Sequence, residues 1–196
     1  MALDNAERNE LNSRVYFNFR RGSVLSNMHA DTVMYWGIPF RSAEHAYQWA
    51  KCTLIGNGQV ARQVEQASSP LLAKTYAKTR LTREDREEWR NSPAHLRVMY
   101  DILCCKYHSN VMFRNVIELF DTCYFCEETN DKYWGIGCQQ KVANGLSIEQ
   151  LPGENVLGRL LMLLAKTKGN NVDNYTWEEF RCSLDYDVLK TRETSS

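Results

Sequence analysis

Apolar and polar positions along this chain follow two different periods, and each change of period marks an element. From Val15 to Phe19 aromatic and polar residues alternate, and Thr32 to Phe40 is rich in β-branched and aromatic residues around Gly37. Both read as short strands, two or three in all, joined through the loop Arg20 to Asp31. Beyond Ser42 the period becomes helical. Gly56-Asn57-Gly58 is a turn before a short helix over Gln59 to Gln66, and Ser69-Pro70 opens a helix toward Lys78. Thr82 starts the next, which carries Trp89. Ser92-Pro93 repeats the start signal ahead of an amphipathic helix to about His108, through Leu96, Met99, Tyr100 and Leu103. Another begins near Asn110, with Val111, Phe113, Val116, Ile117 and Phe120 as its apolar positions.

The helical pattern stops at Asp121. Tyr124 to Glu127 is extended, and Asn130 to Gly137 sets two glycines beside two aromatics and an acid, which suits a ligand loop better than a helix. Cys138 to Glu154 is long and irregular. Asn155, at or beside an N-cap, then opens a strongly apolar helix through Met162 that Gly169-Asn-Asn ends. Thr176-Trp-Glu-Glu179 is a capping box for a last helix to about Leu189. Helix follows helix with short polar turns, so the expected fold is mainly α, a compact single domain with a small N-terminal β element. The expected divisions are a flexible polar N-terminus over 1–13, the domain over 14–168, and a C-terminal extension over 169–196 of one helix and a polar tail.

The helix that begins at Ser42 carries the first chemical question. Glu44, Gln48 and Lys51 fall on one stripe, while Ala43, Ala46, Tyr47, Trp49, Ala50 and Leu54 cover the rest of its surface. A helix apolar over most of its surface is normally buried, and buried charge without partners is costly. The stripe therefore faces water or lines a polar cavity. On spacing alone the solvated face, with Glu44 and Lys51 loosely paired, is the commoner outcome.

Composition narrows the function classes. Apolar residues at 43% and charged residues at 24%, with zero formal net charge, describe an ordinary soluble globular chain with no global pull toward nucleic acid or membrane. Any polyanion must be held by a local basic pocket. No apolar run approaches the length of a membrane span, and the opening residues lack a signal-peptide core. Seven cysteines scattered over helical segments point to reduced thiols and a cytoplasmic location, or a nuclear one in a eukaryote. Cys123-Tyr-Phe-Cys126 has metal-like spacing, but no second pair follows, so neither a metal nor another cofactor is expected.

Four polar clusters are candidates for convergence: Ser26-Asn27, the Glu44/Gln48/Lys51 stripe, Asp131 to Gly135, and Asn155. Two carboxylates, Glu44 and Asp131, permit general acid–base work of the glycosidase kind. Trp134 and Trp89 are of the type that stacks a base or ribose, although tryptophan is more often core. Lys51 either binds phosphate as a cation or, with its pKa lowered by burial, acts as a Schiff-base amine. The Arg20-Arg21-Gly22-Ser23 loop offers cations and free backbone N–H groups to a phosphate. No Gly-x-x-x-x-Gly-Lys, Gly-x-Ser-x-Gly or His-Glu-x-x-His motif is present.

These residues resemble the NADAR (YbiA-like) family. The resemblance rests on Ser26-Asn27, Pro39-Phe40-x-Ser42-x-Glu44-His45-x-Tyr47-Gln48-x-x-Lys51 and Ser69-Pro70-x-x-Ala73. It continues through Trp89, Val98-Met99, Lys106-Tyr107, Asn130-Asp131-x-x-Trp134-Gly135 and Asn155-x-Leu157-Gly158-x-Leu160-Leu161-Met162. It runs in order from about Tyr16 to Lys166. It implies a YbiA-like, mainly helical fold and cleavage of an N-glycosidic bond to ribose. One substrate class so implied is ADP-ribose on guanine bases in nucleic acid or nucleotides; the other is a ribosylamino-pyrimidine phosphate of riboflavin synthesis. A non-catalytic module that binds ADP-ribose or NAD is a third reading. Carried over by position, the resemblance makes Glu44, Lys51 and Asp131 catalytic. Arg20, Ser26, Asn27, Gln48, Trp89, Trp134, Gly135 and Asn155 would bind the substrate, an ADP-ribose-containing nucleotide or ADP-ribosylated nucleic acid. Met28 and Ala46 stand where the family often has aromatics. Cys126 stands where it has a glutamate, with Glu127 one step off.

Overall fold

The structure, a computed structural model, describes residues 14–185. The polar opening and the tail lie outside the described residues, and the last helix ends at Ser183, short of the expected Leu189. The chain divides into two compact units, one of residues 27–114 and one of the flanking segments.

In the 27–114 unit, β2 (Val33–Tyr35) and β3 (Ile38–Phe40) pair antiparallel, after β1 (Arg14–Phe17) of the other unit. Trp36 and Gly37 form their turn with φ of 49° and 77°. A turn with both central residues at positive φ matches strand twist, so this hairpin closes locally. Next come α1 (Ala43–Leu54), α2 (Gly58–Glu65), α3 (Pro70–Arg80), α4 (Arg83–Asn91) and α5 (Ala94–Ser109). Their starts follow the sequence. The Ser42 hydroxyl accepts from the His45 N–H at 3.1 Å, Ser69 caps α3 with Pro70 in its first turn, and Thr82 with Asp85 forms a capping box. Helix α1 packs on α2, α3 and α5, and α5 also packs on β2. Phe40 and Trp49, ring centroids 5.2 Å apart, join the hairpin to α1.

Helix α6 (Val111–Leu119) holds the division between the units. In the flanking unit β1 pairs parallel with β4 (Tyr124–Glu127), Arg14 opposite Tyr124 and Phe17 opposite Glu127. The hairpin satisfies itself across Trp36-Gly37, so β1 takes the distant extended segment as its partner. Helix α7 (Gln140–Ala143) is one turn inside the long connection, and α8 (Val156–Thr167) packs on β4. The core here joins Tyr124, Cys126, Ile136, Ile148 and Leu151. The Arg14 guanidinium donates to the carbonyls of Ala143 and Leu146 at 2.9 and 2.8 Å, fixing that connection to β1. The Thr176–Glu179 capping box starts α9 (Trp177–Ser183) as expected.

One charge pair anchors the loop that leads to the hairpin. Lys106 is fully buried, with its Nζ 3.4 Å from Asp31 Oδ2 and 4.7 Å from the centre of the Phe113 ring. Burial pushes its pKa down to about 8, with Asp31 opposing. Asn110 Nδ2 donates to the same Asp31 oxygen at 2.7 Å. Removing one partner of such a pair strands the other without solvent. Lys106→Ala is therefore expected to lower stability by about 3–5 kcal/mol in urea unfolding, and Asp31→Asn/Lys106→Met by clearly less.

Candidate active site

The stripe on α1 is buried, not solvated. Glu44, Gln48 and Lys51 retain 7, 6 and 9% of their exposure. Spacing favoured a water-facing stripe; packing of α1 against three helices and the hairpin encloses it instead. One carboxylate oxygen organises the cluster. Glu44 Oε1 accepts from Gln48 Nε2 at 2.9 Å and faces Lys74 Nζ at 3.1 Å. The Glu44 backbone N–H donates to the Asn27 carbonyl at 2.8 Å, which ties the loop before the hairpin to the first turn of α1.

Lys51 completes the cluster with a different character. Among the described residues its ammonium forms no ion pair within 4 Å. Burial lowers its pKa, Cys52 and Glu44 oppose that shift, and Lys74 and Arg86 add to it by repulsion. Arg86 is held by the carbonyls of Lys78 and Leu81, at 2.6 and 2.9 Å. Lys74 and Arg86 thus both act on Lys51, a local gathering of positive charge in a chain of zero net charge. Trp89 supports the cluster from behind: its Nε1–H donates to the Tyr47 hydroxyl at 2.9 Å, and both rings are buried. His45 lies on the apolar side with Nε2 2.6 Å from the Val64 carbonyl, and burial lowers its pKa. It is a core histidine.

The remaining predicted residues belong to the flanking unit, apart from Asn27. Arg20 is exposed in a single turn of 3-10 helix, and Ser26 is buried. Asn27, itself buried, donates through Nδ2 to Met99 Sδ at 3.2 Å. Asp131 is exposed, and its Oδ1 accepts the backbone N–H groups of Tyr133 and Trp134 at 2.9 and 3.0 Å. That carboxylate shapes the turn presenting Trp134, whose half-buried ring meets Tyr133 edge-on at 5.3 Å. Gly135 follows because nothing larger fits: a Cβ there would strike the Thr129 methyl and the Glu127 carbonyl.

Asn155 is fully buried with φ of 52°. Its Nδ2 donates to the Phe125 carbonyl at 2.6 Å, its Oδ1 accepts from the Glu127 N–H at 3.1 Å, and its own N–H meets the Gly135 carbonyl at 3.1 Å. It does not cap α8 with its side chain. It laces β4 to the Asp131–Gly135 loop, a positioning task. In β4, Cys126 is buried in the core, and strand alternation turns Glu127 to the opposite face.

Sequence reasoning passed over Lys74 and Arg86. Lys74 borders Ala73 and Ala77, the buried positions of α3, and that pattern marks it as lying at the edge of a packed face. Which residue it meets depends on the packing of α3 against α1, which no local pattern records. Among the described residues no group of three metal-ligating side chains comes together, and no helix is long and apolar enough to cross a membrane.

The family model of the NADAR domain matches residues 7–167. Among solved structures, the chain is similar to the NMR structure of the E. coli protein YbiA, with a TM-score of 0.59 and 24% identity, over 79% of this chain and 84% of that one. That likeness carries the fold. No curated protein sequence matches the chain.

Gly135→Ala is expected to cost about 1–3 kcal/mol from overpacking against Thr129 and the β4 backbone, read as a drop in the urea midpoint at unchanged slope. Thr129→Ala in the same chain is expected to restore part of it.

Proposed function

The chain belongs to the NADAR family, one associated with N-glycosidase activity, and on that basis we propose that it hydrolyses a base–ribose N-glycosidic bond, removing ADP-ribose from guanine bases in nucleic acid or nucleotides. The observation that carries this reading is the buried carboxylate of Glu44 sharing a helix face with a buried amine, Lys51, whose pKa is lowered.

Breaking the bond at the anomeric carbon builds positive charge there, and a preorganised carboxylate in a water-poor site is the group that stabilises it. Glu44 is held for that task by Gln48 and Lys74. Neutral Lys51 adds to the anomeric carbon; Glu44 takes the proton the amine loses and passes it to the departing base nitrogen. The C–N bond to the base breaks with its electron pair on the base. The Lys51 nitrogen lone pair then opens the ribose ring: the bond from the anomeric carbon to the ring oxygen breaks, that oxygen takes a proton from water to become a hydroxyl, and the hydroxide so formed adds to the protonated imine and releases free sugar aldehyde and neutral amine. Lys74 and Arg86 suit the negative charge of the substrate's phosphates. Asn27 and Gln48, of the same unit as Glu44, are further contacts of the substrate.

Incubating the protein with ADP-ribosylated guanosine is expected to release ADP-ribose. Glu44→Gln is expected to lose about 10²–10⁴ in turnover while retaining binding in calorimetry. A module that only binds shows no turnover before substitution. Release of ribose phosphate from the ribosylamino-pyrimidine phosphate, with none of ADP-ribose, reassigns the substrate within the same chemistry.

The Schiff-base step has its own pH signature. Only the neutral amine attacks, so the rate is expected to rise with pH through a midpoint below the ordinary lysine value of 10.5. Lys51→Arg, which cannot lose its proton, is expected to abolish both turnover and borohydride trapping. Trapping of sugar on wild-type Lys51, read by peptide mass spectrometry, checks the covalent intermediate.

A further inference from the structure

The positive charge beside Glu44 continues outward along two helices. Helix α3 carries Lys74, Lys78 and Arg80 and no acid. Lys74 and Lys78 stand one turn apart on its exposed side, about 6 Å along the axis. Helix α4 carries both signs but sorts them: Arg83, Arg86 and Arg90 share one stripe, and Glu84 and Glu88 another. The arginine stripe lies toward α3, because the Arg86 guanidinium donates to the carbonyls of Lys78 and Leu81 at the end of that helix, at 2.6 and 2.9 Å. Glu87 neutralises Arg83 at 2.7 Å, and Glu44 takes Lys74 at 3.1 Å. Among the described residues no carboxylate comes within ion-pair distance of Lys78, Arg86 or Arg90, and Lys78 and Arg90 are exposed. In a chain of zero net charge, cations sorted onto one edge without counter-charges make a local field for a polyanion.

Resting on the glycosidase reading, we propose that this edge, Lys78 of α3 and Arg90 of α4 with Arg86 linking the two helices, binds the phosphodiester backbone of the nucleic-acid strand that carries the modified base. Lys74 and Arg86 stand at the Glu44 cluster, and Lys78 and Arg90 lie one turn beyond each along their helices. The edge therefore begins at the acid and runs outward from it, as phosphates continuing past a bound nucleotide require. A mononucleotide ends before Lys78 and Arg90; a strand reaches them. An acidic peptide also repeats negative charge, but a site that acts on a nucleobase has that base's own strand beside it. Contacts of this kind go to phosphate and read no sequence, so the edge selects polymer over nucleotide and not one sequence over another.

Fluorescence anisotropy with an unmodified single-stranded DNA oligonucleotide over a salt series reads the edge without turnover. Lys74, Lys78, Arg86 and Arg90 together predict a slope of log K against log salt of about −3, at roughly −0.7 per cation. Lys78→Gln and Arg90→Gln are each expected to weaken binding several-fold and to shrink the slope by about 0.7. Lys141→Gln, at an exposed lysine of the flanking unit, is expected to change neither. In kinetics, Lys78→Gln and Arg90→Gln are expected to raise KM for an ADP-ribosylated oligonucleotide at unchanged kcat, and to leave cleavage of ADP-ribosylated guanosine as it is. Absence of oligonucleotide binding, or a salt slope that ignores both substitutions, overturns the proposal. Poly-glutamate binding as tight as the oligonucleotide's, and equally dependent on Lys78 and Arg90, assigns the edge to an acidic protein and overturns it as well. In either case ADP-ribose release from the guanosine substrate keeps the glycosidase reading. Oligonucleotide binding at the expected slope without any release does the reverse: it removes that reading and supports the nucleic-acid edge.

Discussion

The enclosure of Glu44 is the constraint on which the 27–114 unit depends. A carboxylate cut off from water is costly unless charge and hydrogen bonds replace its hydration. Here the replacement comes from three separate chain segments: Gln48 one turn along α1, Lys74 from α3, and the Asn27 carbonyl, which fixes the backbone beneath it. Each segment has its own anchor. Asn27 reaches Met99 on α5, and the Asn27–Asp31 loop is pinned by Lys106. Tyr47, on the same helix as Glu44, holds Trp89 of α4. The polar cluster and the core around it are thus one mechanical object, and the acid cannot be repositioned without repacking several helices.

The flanking unit follows a different logic. Its loop from Asp131 to Gly135 is shaped mainly by backbone hydrogen bonds: to the Asp131 carboxylate from within, and from Asn155, Val156 and Leu157 at the start of α8. Asn155 and Gly158 serve the same end, one as a side-chain lace to β4, the other by letting the helix approach the Phe125 carbonyl more closely than any side chain permits. A rigid loop of this type presents an aromatic ring at low entropic cost.

Much of this was legible in the sequence, for identifiable reasons. Caps at Ser42, Ser69, Thr82 and Thr176 announced their helices because capping is a local hydrogen-bond problem with few solutions. The co-facial placement of Glu44, Gln48 and Lys51 followed from helical period alone. Their burial did not, because spacing is the same for a wet face and an enclosed one. Strand pairing was equally silent: nothing near Val15 names Phe125 as its neighbour. Lys74 escaped because its partner is chosen by packing between helices. Asn155 stands at the N-cap of α8 as its position announced, but its side chain bonds β4 and not the first N–H groups of the helix, which no local pattern records.

The parallel pairing of β1 with β4 has a consequence for biosynthesis. Its two strands lie about 110 residues apart in the chain, whereas the 27–114 unit is made of consecutive segments. On a ribosome the inner unit is complete in sequence before Tyr124 exists, so the first strand emerges with no neighbour and waits through the synthesis of six α-helices. Closing so long a span is slow, and an unpaired apolar edge is open to wrong pairings in the interval. Arg14 bears on this interval, because the guanidinium that later grips the Ala143 and Leu146 carbonyls also charges one end of an otherwise sticky strand.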